Sequence, residues 1–211
     1  MPLVFFDMDG TLTREPCFMH LARKMNQESS VNQLEHFLAR GEITSDNFAE
    51  EMTELFSGTP LDYLKMICRD LPVIPGIQET VDQIKAKGYS PGIVTQSAEW
   101  FAKHLVERYG FDFVYATPTI TDQDRILLFG PKAVTQDGKA VYVIEKCEEE
   151  DVNPRECVRV TDSQSDKKML DVVGTRIIIN PTKDFEYEKT HTYIKPCEDL
   201  QKILEHIPDK I

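Results

Sequence analysis

The apolar positions of this chain fall into two kinds of run, and their alternation predicts the architecture. Short continuous runs closed by acids, turn residues or glycine read as strands buried on both faces. These are Leu3-Val4-Phe5-Phe6, Gly92-Ile93-Val94, Val158-Arg159-Val160 and Ile177-Ile178-Ile179, with Phe111–Ala116 a weaker fifth. Between them the spacing turns helical. Val81, Ile84 and Lys85 lead to Gly88, a helix stop, and Ser97 offers an N-cap for a helix carrying Phe101 and Leu105. Gly138–Glu150 gives another helix, with Val141, Ile144 and Cys147 on one face. Strands alternating with helices predict an α/β fold, a doubly wound, mostly parallel sheet covered on both sides.

From about Arg14 to Leu71 the alternation stops and the pattern is helical throughout. Phe18, Leu21, Ala22 and Met25 form one stripe, and Phe48, Met52, Leu55 and Phe56 form a second that Thr44, Ser45 or Asp46 can cap. Pro72, Pro75 and Gly76 punctuate the return to the sheet pattern. The expected division is a core of residues 1–13 and 77–211 with a small all-helical module, 14–76, inserted after the first strand. Such a module can serve as a lid over the carboxyl ends of the strands, where open α/β sheets bind ligands. Within Thr117–Ala133, Asp122-Gln123-Asp124-Arg125 reads as a hairpin tip with Ile126–Phe129 as its return strand.

A net charge of −12 changes the list of partners, because general nucleic-acid binding needs a basic surface. No run is long enough to span a membrane, and none resembles a secretory leader. The five cysteines are odd in number and lack C-x-x-C spacing, which suits reduced thiols in a cytoplasm. The five histidines make no H-x-x-x-H pair, so a zinc or iron centre is not expected.

The chemistry is carried by acids at strand ends. In Phe5-Phe6-Asp7-Met8-Asp9-Gly10-Thr11 a strand delivers Asp7 to its carboxyl edge, and Asp9 follows two residues on, which predicts two carboxylates in one crevice. That pair suits displacement at phosphorus: Asp7 attacks, and Asp9 protonates the leaving alcohol and later deprotonates water. A second acidic cluster, Thr161-Asp162-Ser163-Gln164-Ser165-Asp166, follows another apolar run. Magnesium takes one or two carboxylates and several waters, so Asp7, the carbonyl of Asp9 and Asp162 are its expected ligands, with Asp166 a further one, direct or through water. Asp166 also suits an N-cap. Thr95, closing the strand after Val94, can donate to a phosphoryl oxygen, and Lys139 can neutralise charge there. Lys132, after Gly130-Pro131, is the rival lysine.

These segments, in this order, resemble the haloacid dehalogenase superfamily, in its phosphoserine-phosphatase-like branch. Asp7-Met8-Asp9-Gly10-Thr11 looks like the first motif, Thr95 the second, Lys139 the third, and Asp162 with Asp166 the fourth. The resemblance implies a Rossmann-like core with a helical cap. It also implies a magnesium-dependent phosphomonoester hydrolase forming an aspartyl-phosphate on a small phosphorylated metabolite, phosphoserine being the first candidate. Two motifs depart from the branch. Thr95-Gln96-Ser97 replaces Ser-Gly-Gly, and Thr161 to Asp166 replaces Gly-Asp-Gly-x-Asn-Asp, so Gln96 and Ser165 join Thr95 as expected phosphate-side residues. The cap arginine that reads a substrate carboxylate has no match near Glu50–Met52. The acid that meets the amino group falls near Glu15, beside Pro16. A phosphotransferase or phosphomutase, a true dehalogenase, a phosphoacceptor signalling domain and an inactive binding protein are the other readings of such a scaffold. Asp9 and the Asp162/Asp166 pair speak against the dehalogenase, and the helical insertion speaks against the signalling domain.

Overall fold

A computed structural model of the chain describes residues 1–123, 125–128, 133–181 and 185–209. Strand β1 (Leu3–Phe6) is followed by four helices, α1 (Cys17–Lys24), α2 (Glu28–Ala39), α3 (Ser45–Phe56) and α4 (Leu61–Arg69). Then come α5 (Ile77–Ala86), β2 (Ser90–Ala98), α6 (Glu99–Tyr109), β3 (Phe113–Thr117), the pair β4 (Ile120–Asp122) and β5 (Arg125–Leu128), and α7 (Gln136–Glu149). The chain continues through β6 (Val158–Thr161), α8 (Lys167–Val172), β7 (Thr175–Ile179), β8 (Thr192–Ile194) and a 3₁₀ helix at Leu200–His206.

Six strands form one sheet in the order β3-β2-β1-β6-β7-β8, and every pairing in it is parallel. From β1 the chain winds outward through β2 to β3 on one side, then returns to β6 and winds outward through β7 to β8 on the other. The strand order therefore reverses between β1 and β6, the place where such sheets form a crevice at the carboxyl ends. Alternation within β1 sends Val4 and Phe6 to one face and Leu3 and Phe5 to the other. On the second face Leu3 and Phe5 meet Val94, Val143, Cys147 and Met169. On the first, Val4, Phe6 and Val160 lie in a cluster that runs without a break into Leu21, Ala22, Met52 and Phe56 of the helical segment. Sheet and helical segment are therefore bonded by one continuous apolar body, with Phe18 of α1 edge-on to Phe101 of α6 at 5.7 Å.

Several local expectations shift. Helix α3 starts with a reciprocal cap between Thr44 and Asn47, as the polar run before it suggests. Strand β2 runs on through Thr95 to Ala98, so Thr95 does not close it and Ser97 is not the cap of α6; Ala98 holds that position. Helix α7 begins at Gln136, capped by the Thr135 side chain, two residues before Gly138. Its buried face is Lys139, Val143 and Cys147, while Val141 and Ile144 are exposed. A lysine is tolerated on that inner face because buried acids pair it. The β4–β5 hairpin is antiparallel, with Gln123 at φ +45° in the turn; Asp124 and Phe129 lie outside the described residues. Among the described residues no helix is long and apolar enough to cross a membrane.

Candidate active site

The site is assembled at the reversal point of the sheet. Asp7 leaves β1 with its N–H still donating to the Val160 carbonyl (3.0 Å), so β6 fixes where its side chain begins. A tight turn follows in which the Met8 carbonyl accepts from the N–H groups of Thr11, Leu12 and Thr13. Gly10 makes this possible with φ +79°, and a methyl on its Cα would sit 2.1 Å from Oδ2 of Asp162. The turn thus brings backbone against the carboxylate of the next strand, and the Thr11 hydroxyl donates to Asp162 Oδ1 at 2.9 Å.

Asp7 and Asp9 stand together at the carboxyl edge but reach different partners. Oδ1 of Asp7 accepts from Lys139 Nζ at 3.1 Å and lies 3.7 Å from Arg159 Nη2. Asp9 instead accepts the N–H of Cys17, at the start of α1, on Oδ1 (2.7 Å) and the hydroxyl of Ser97 on Oδ2. One acid is gripped by buried cations; the other ties the first helix of the inserted segment to the end of β2.

Lys139 and Arg159 are both almost wholly out of solvent, at 1% and 0% exposure, so their charges must be met inside. Asp166 meets both. Its Oδ1 accepts from Lys139 (2.9 Å), and its Oδ2 takes the Arg159 Nε (3.0 Å) and Nη2. Burial would raise Asp166, but Arg159 and Lys139 outweigh it and hold the carboxyl down at about 2. Lys139 is likewise held above its ordinary value by Asp166 and Asp7, against the opposing effect of burial.

Asp7 and Asp162 behave in the opposite way. Burial, with the charge of Asp166 next, raises Asp7 despite its two cations. Burial, then the charge of Asp7, pushes Asp162 up to about 7. Asp162 thus faces an acid and a hydroxyl but lacks an ion pair among the described residues. A small hard cation held by Asp7 and Asp162 would relieve that charge, and the donors offered are all oxygen. Among the described residues no group of three or more His, Cys, Asp or Glu side chains gathers to hold a metal. Two carboxylates suit magnesium, which keeps several waters, and do not suit zinc.

The remaining expected residues are placed as follows. Thr95 is buried, its Oγ1 accepting the N–H of Ser97 (3.1 Å). Gln96 donates through its amide to the Val134 carbonyl (3.0 Å) and lines a cavity beside Asp9. Ser165 is hydrogen-bonded with Ser163 at 3.0 Å. Glu15 is turned to Arg23 (2.8 Å) and His20 (2.9 Å) and does not line that cavity. For Asp166 to ligate a metal directly, it would have to share an oxygen already bonded to Lys139 or Arg159. Lys132 lies outside the described residues.

Three residues escape the sequence reading. Arg159 is central to the ion network, and its signal was available: an arginine within a strand buried on both faces requires a buried acid. Ser97 read as a helix cap, and only the extension of β2 turns it to Asp9. Glu35, on α2, lines the cavity beside Asp9, and no local pattern marks it.

A doubly wound parallel sheet whose reversal point gathers paired aspartates, a buried lysine and a further acid is the frame of a phosphoryl-transfer hydrolase. The sequence model of the haloacid dehalogenase-like hydrolases matches residues 4–171, and the chain belongs to that family, in its phosphoserine-phosphatase-like, phosphatase-type branch. It is 22% identical over 206 residues to a phosphoserine phosphatase of Methanocaldococcus jannaschii, covering 97% of each chain. Several other phosphoserine phosphatases it matches are longer, and it spans about half of their length. By fold it is similar to a HAD family hydrolase from Salmonella enterica serovar Typhi, with TM-score 0.90 and 20% identity, covering 100% of this chain and 73% of that one. It is also similar to a phosphoserine phosphatase solved as a phospho-aspartyl intermediate analogue, with TM-score 0.83 and 20% identity over 98% of this chain and 99% of the other.

Proposed function

We propose that this protein is a magnesium-dependent phosphomonoesterase that passes a phosphoryl group through Asp7 to water, with a small phosphorylated metabolite as substrate. The observation that carries the reading is Lys139, fully buried and bridging Asp7 and Asp166, because a cation held there meets negative charge as it develops on a phosphoryl group.

Asp7 Oδ attacks phosphorus as the ester P–O bond breaks, giving an aspartyl-phosphate and an alkoxide that takes its proton from Asp9. Asp9 then removes a proton from water, whose oxygen attacks the phosphorus of the mixed anhydride, releasing inorganic phosphate and restoring Asp7. Magnesium held by Asp7, Asp162 and the Asp9 carbonyl would supply further neutralisation of the phosphoryl oxygens. Lys139 and Arg159 keep Asp7 in place, the Thr95 hydroxyl would donate to a phosphoryl oxygen, and the segment 14–76 would cover the crevice as a cap. The structural relative solved as a phospho-aspartyl intermediate analogue supports the same covalent route.

The test is phosphate release from an aryl phosphate and a panel of small phosphomonoesters, with magnesium or with chelator. Asp7→Asn should fold normally and lose at least about a thousandfold in turnover. A variant that keeps more than about a hundredth of wild-type activity would remove Asp7 as nucleophile. Phosphate transferred to an added acceptor rather than released would identify a phosphotransferase.

A further inference from the structure

Beside Asp9 lies a cavity of about 220 Å³, between α1, α2 and α3 on one side and the end of β2 on the other. It is smaller than the roughly 300–1,000 Å³ of sites that hold drug-sized ligands, so the alcohol that Asp9 protonates must be short. Its walls are mainly apolar, with Phe18, Phe48 and Met52 from the helical segment and Ala98 and Val134 from the core. Among the described residues that line it there is no lysine, arginine or histidine. The charges it does contain are Asp9 and Glu35. Glu35 has no hydrogen bond or ion pair among the described residues, although it is partly buried, and burial followed by the charge of Asp9 raises its carboxyl.

An unpaired acid in an apolar wall, facing a second acid, is unfavourable until a cation or donor arrives. A ligand bearing a carboxylate would add a third negative charge there, whereas an ammonium would meet Glu35 and rest against the faces of Phe18 and Phe48. The opposite choice, a glutamate already neutralised, is what Glu15 shows: Arg23 and His20 occupy its carboxylate, so it has no call on a ligand.

We infer that the leaving group is a short amino alcohol without a carboxylate, so that the substrate class is amino-alcohol monophosphates, with Glu35 reading the ammonium. This rests on the phosphomonoesterase reading above and deepens it.

The experiment compares kcat/KM for 2-aminoethyl phosphate, its trimethylammonium counterpart, phosphoserine, phosphoglycolate, n-propyl phosphate and an aryl phosphate, in wild type, Glu35→Gln and Glu35→Asp. Wild type should favour the two cationic esters over n-propyl phosphate by about tenfold or more, and over phosphoserine by a larger factor. Glu35→Gln should erase at least about tenfold of the ratio between aminoethyl and propyl esters, mainly through KM, and Glu35→Asp should keep part of it. Phosphoserine or phosphoglycolate as the best ester would overturn the inference, as would an aminoethyl-to-propyl ratio that Glu35→Gln leaves unchanged. In either case, turnover of the aryl phosphate leaves the phosphomonoesterase reading standing. No turnover of any ester with magnesium present would overturn both.

Discussion

Replacing Arg159 by Met is the sharpest test of how the site is held. The guanidinium sits at 0% exposure in the middle of β6, paired through Nε and Nη2 to Asp166, donating from Nη2 to the Val94 carbonyl at 3.3 Å and standing 3.7 Å from Asp7. Two full charges 3.7 Å apart attract by about 4.5 kcal/mol at an effective dielectric near 20, so the Asp7 contact alone is not small. Removing one partner of a buried pair leaves the other uncompensated, at a cost of about 3–5 kcal/mol. Lys139 still reaches both acids, which places the expected loss at the lower end of that range. The assay is urea unfolding of wild type, Arg159→Met, Asp166→Asn and the double variant, with m compared across all four. The double variant should lose less than the sum of the singles, because each single strands a charge that the other removes. A loss below about 1 kcal/mol for Arg159→Met, or strict additivity in the cycle, would refute the view that Arg159 neutralises this cluster. Arg159→Lys should recover only part of the stability, since a point charge cannot supply the two-pronged contact to Asp166.

Two further outcomes follow from the same geometry. Asp162 is raised to about 7 in the folded chain against about 3.9 unfolded, so the native state holds its proton between those values. Metal-free stability should therefore fall as pH rises across that window, by up to about 4 kcal/mol. Magnesium should accordingly raise Tm more near pH 8 than near pH 5.5, and equal shifts at both would exclude Asp162 from the metal site. Gly10→Ala places a methyl 2.1 Å from Asp162 Oδ2 at φ +79°, which should cost at least about 1–2 kcal/mol from the backbone alone and weaken magnesium binding. Calorimetric titration with magnesium would check it, and wild-type affinity in that variant would mean the turn can open without loss.

The acids at the strand ends could be read because a strand that stops in Asp-x-Asp-Gly has few other reasons to do so, and the five apolar runs found five of the six strands of the sheet. What escaped depends on contacts far apart in sequence. Strand β8, only three residues long, carries no run of its own and exists by pairing with β7. The pattern of α7 misleads in part: Cys147 is buried as it predicts, but Val141 and Ile144 are exposed and Lys139 turns inward, drawn by two acids 132 and 27 positions away. Ser97 and Glu35 acquire meaning only once α1, α2 and β2 meet around Asp9.

The two bonds to Asp9 give the fold a mechanical property. One oxygen fastens the first turn of α1, through the Cys17 N–H, and the other fastens the Ser97 hydroxyl on the core. In the proposed cycle this same carboxylate gives up a proton and regains one at each turnover, and a protonated oxygen accepts less well than an anionic one. The fastening is therefore strong and weak by turns within one catalytic round. The join between the helical segment and the core thus runs through the very carboxylate that the proposed chemistry uses.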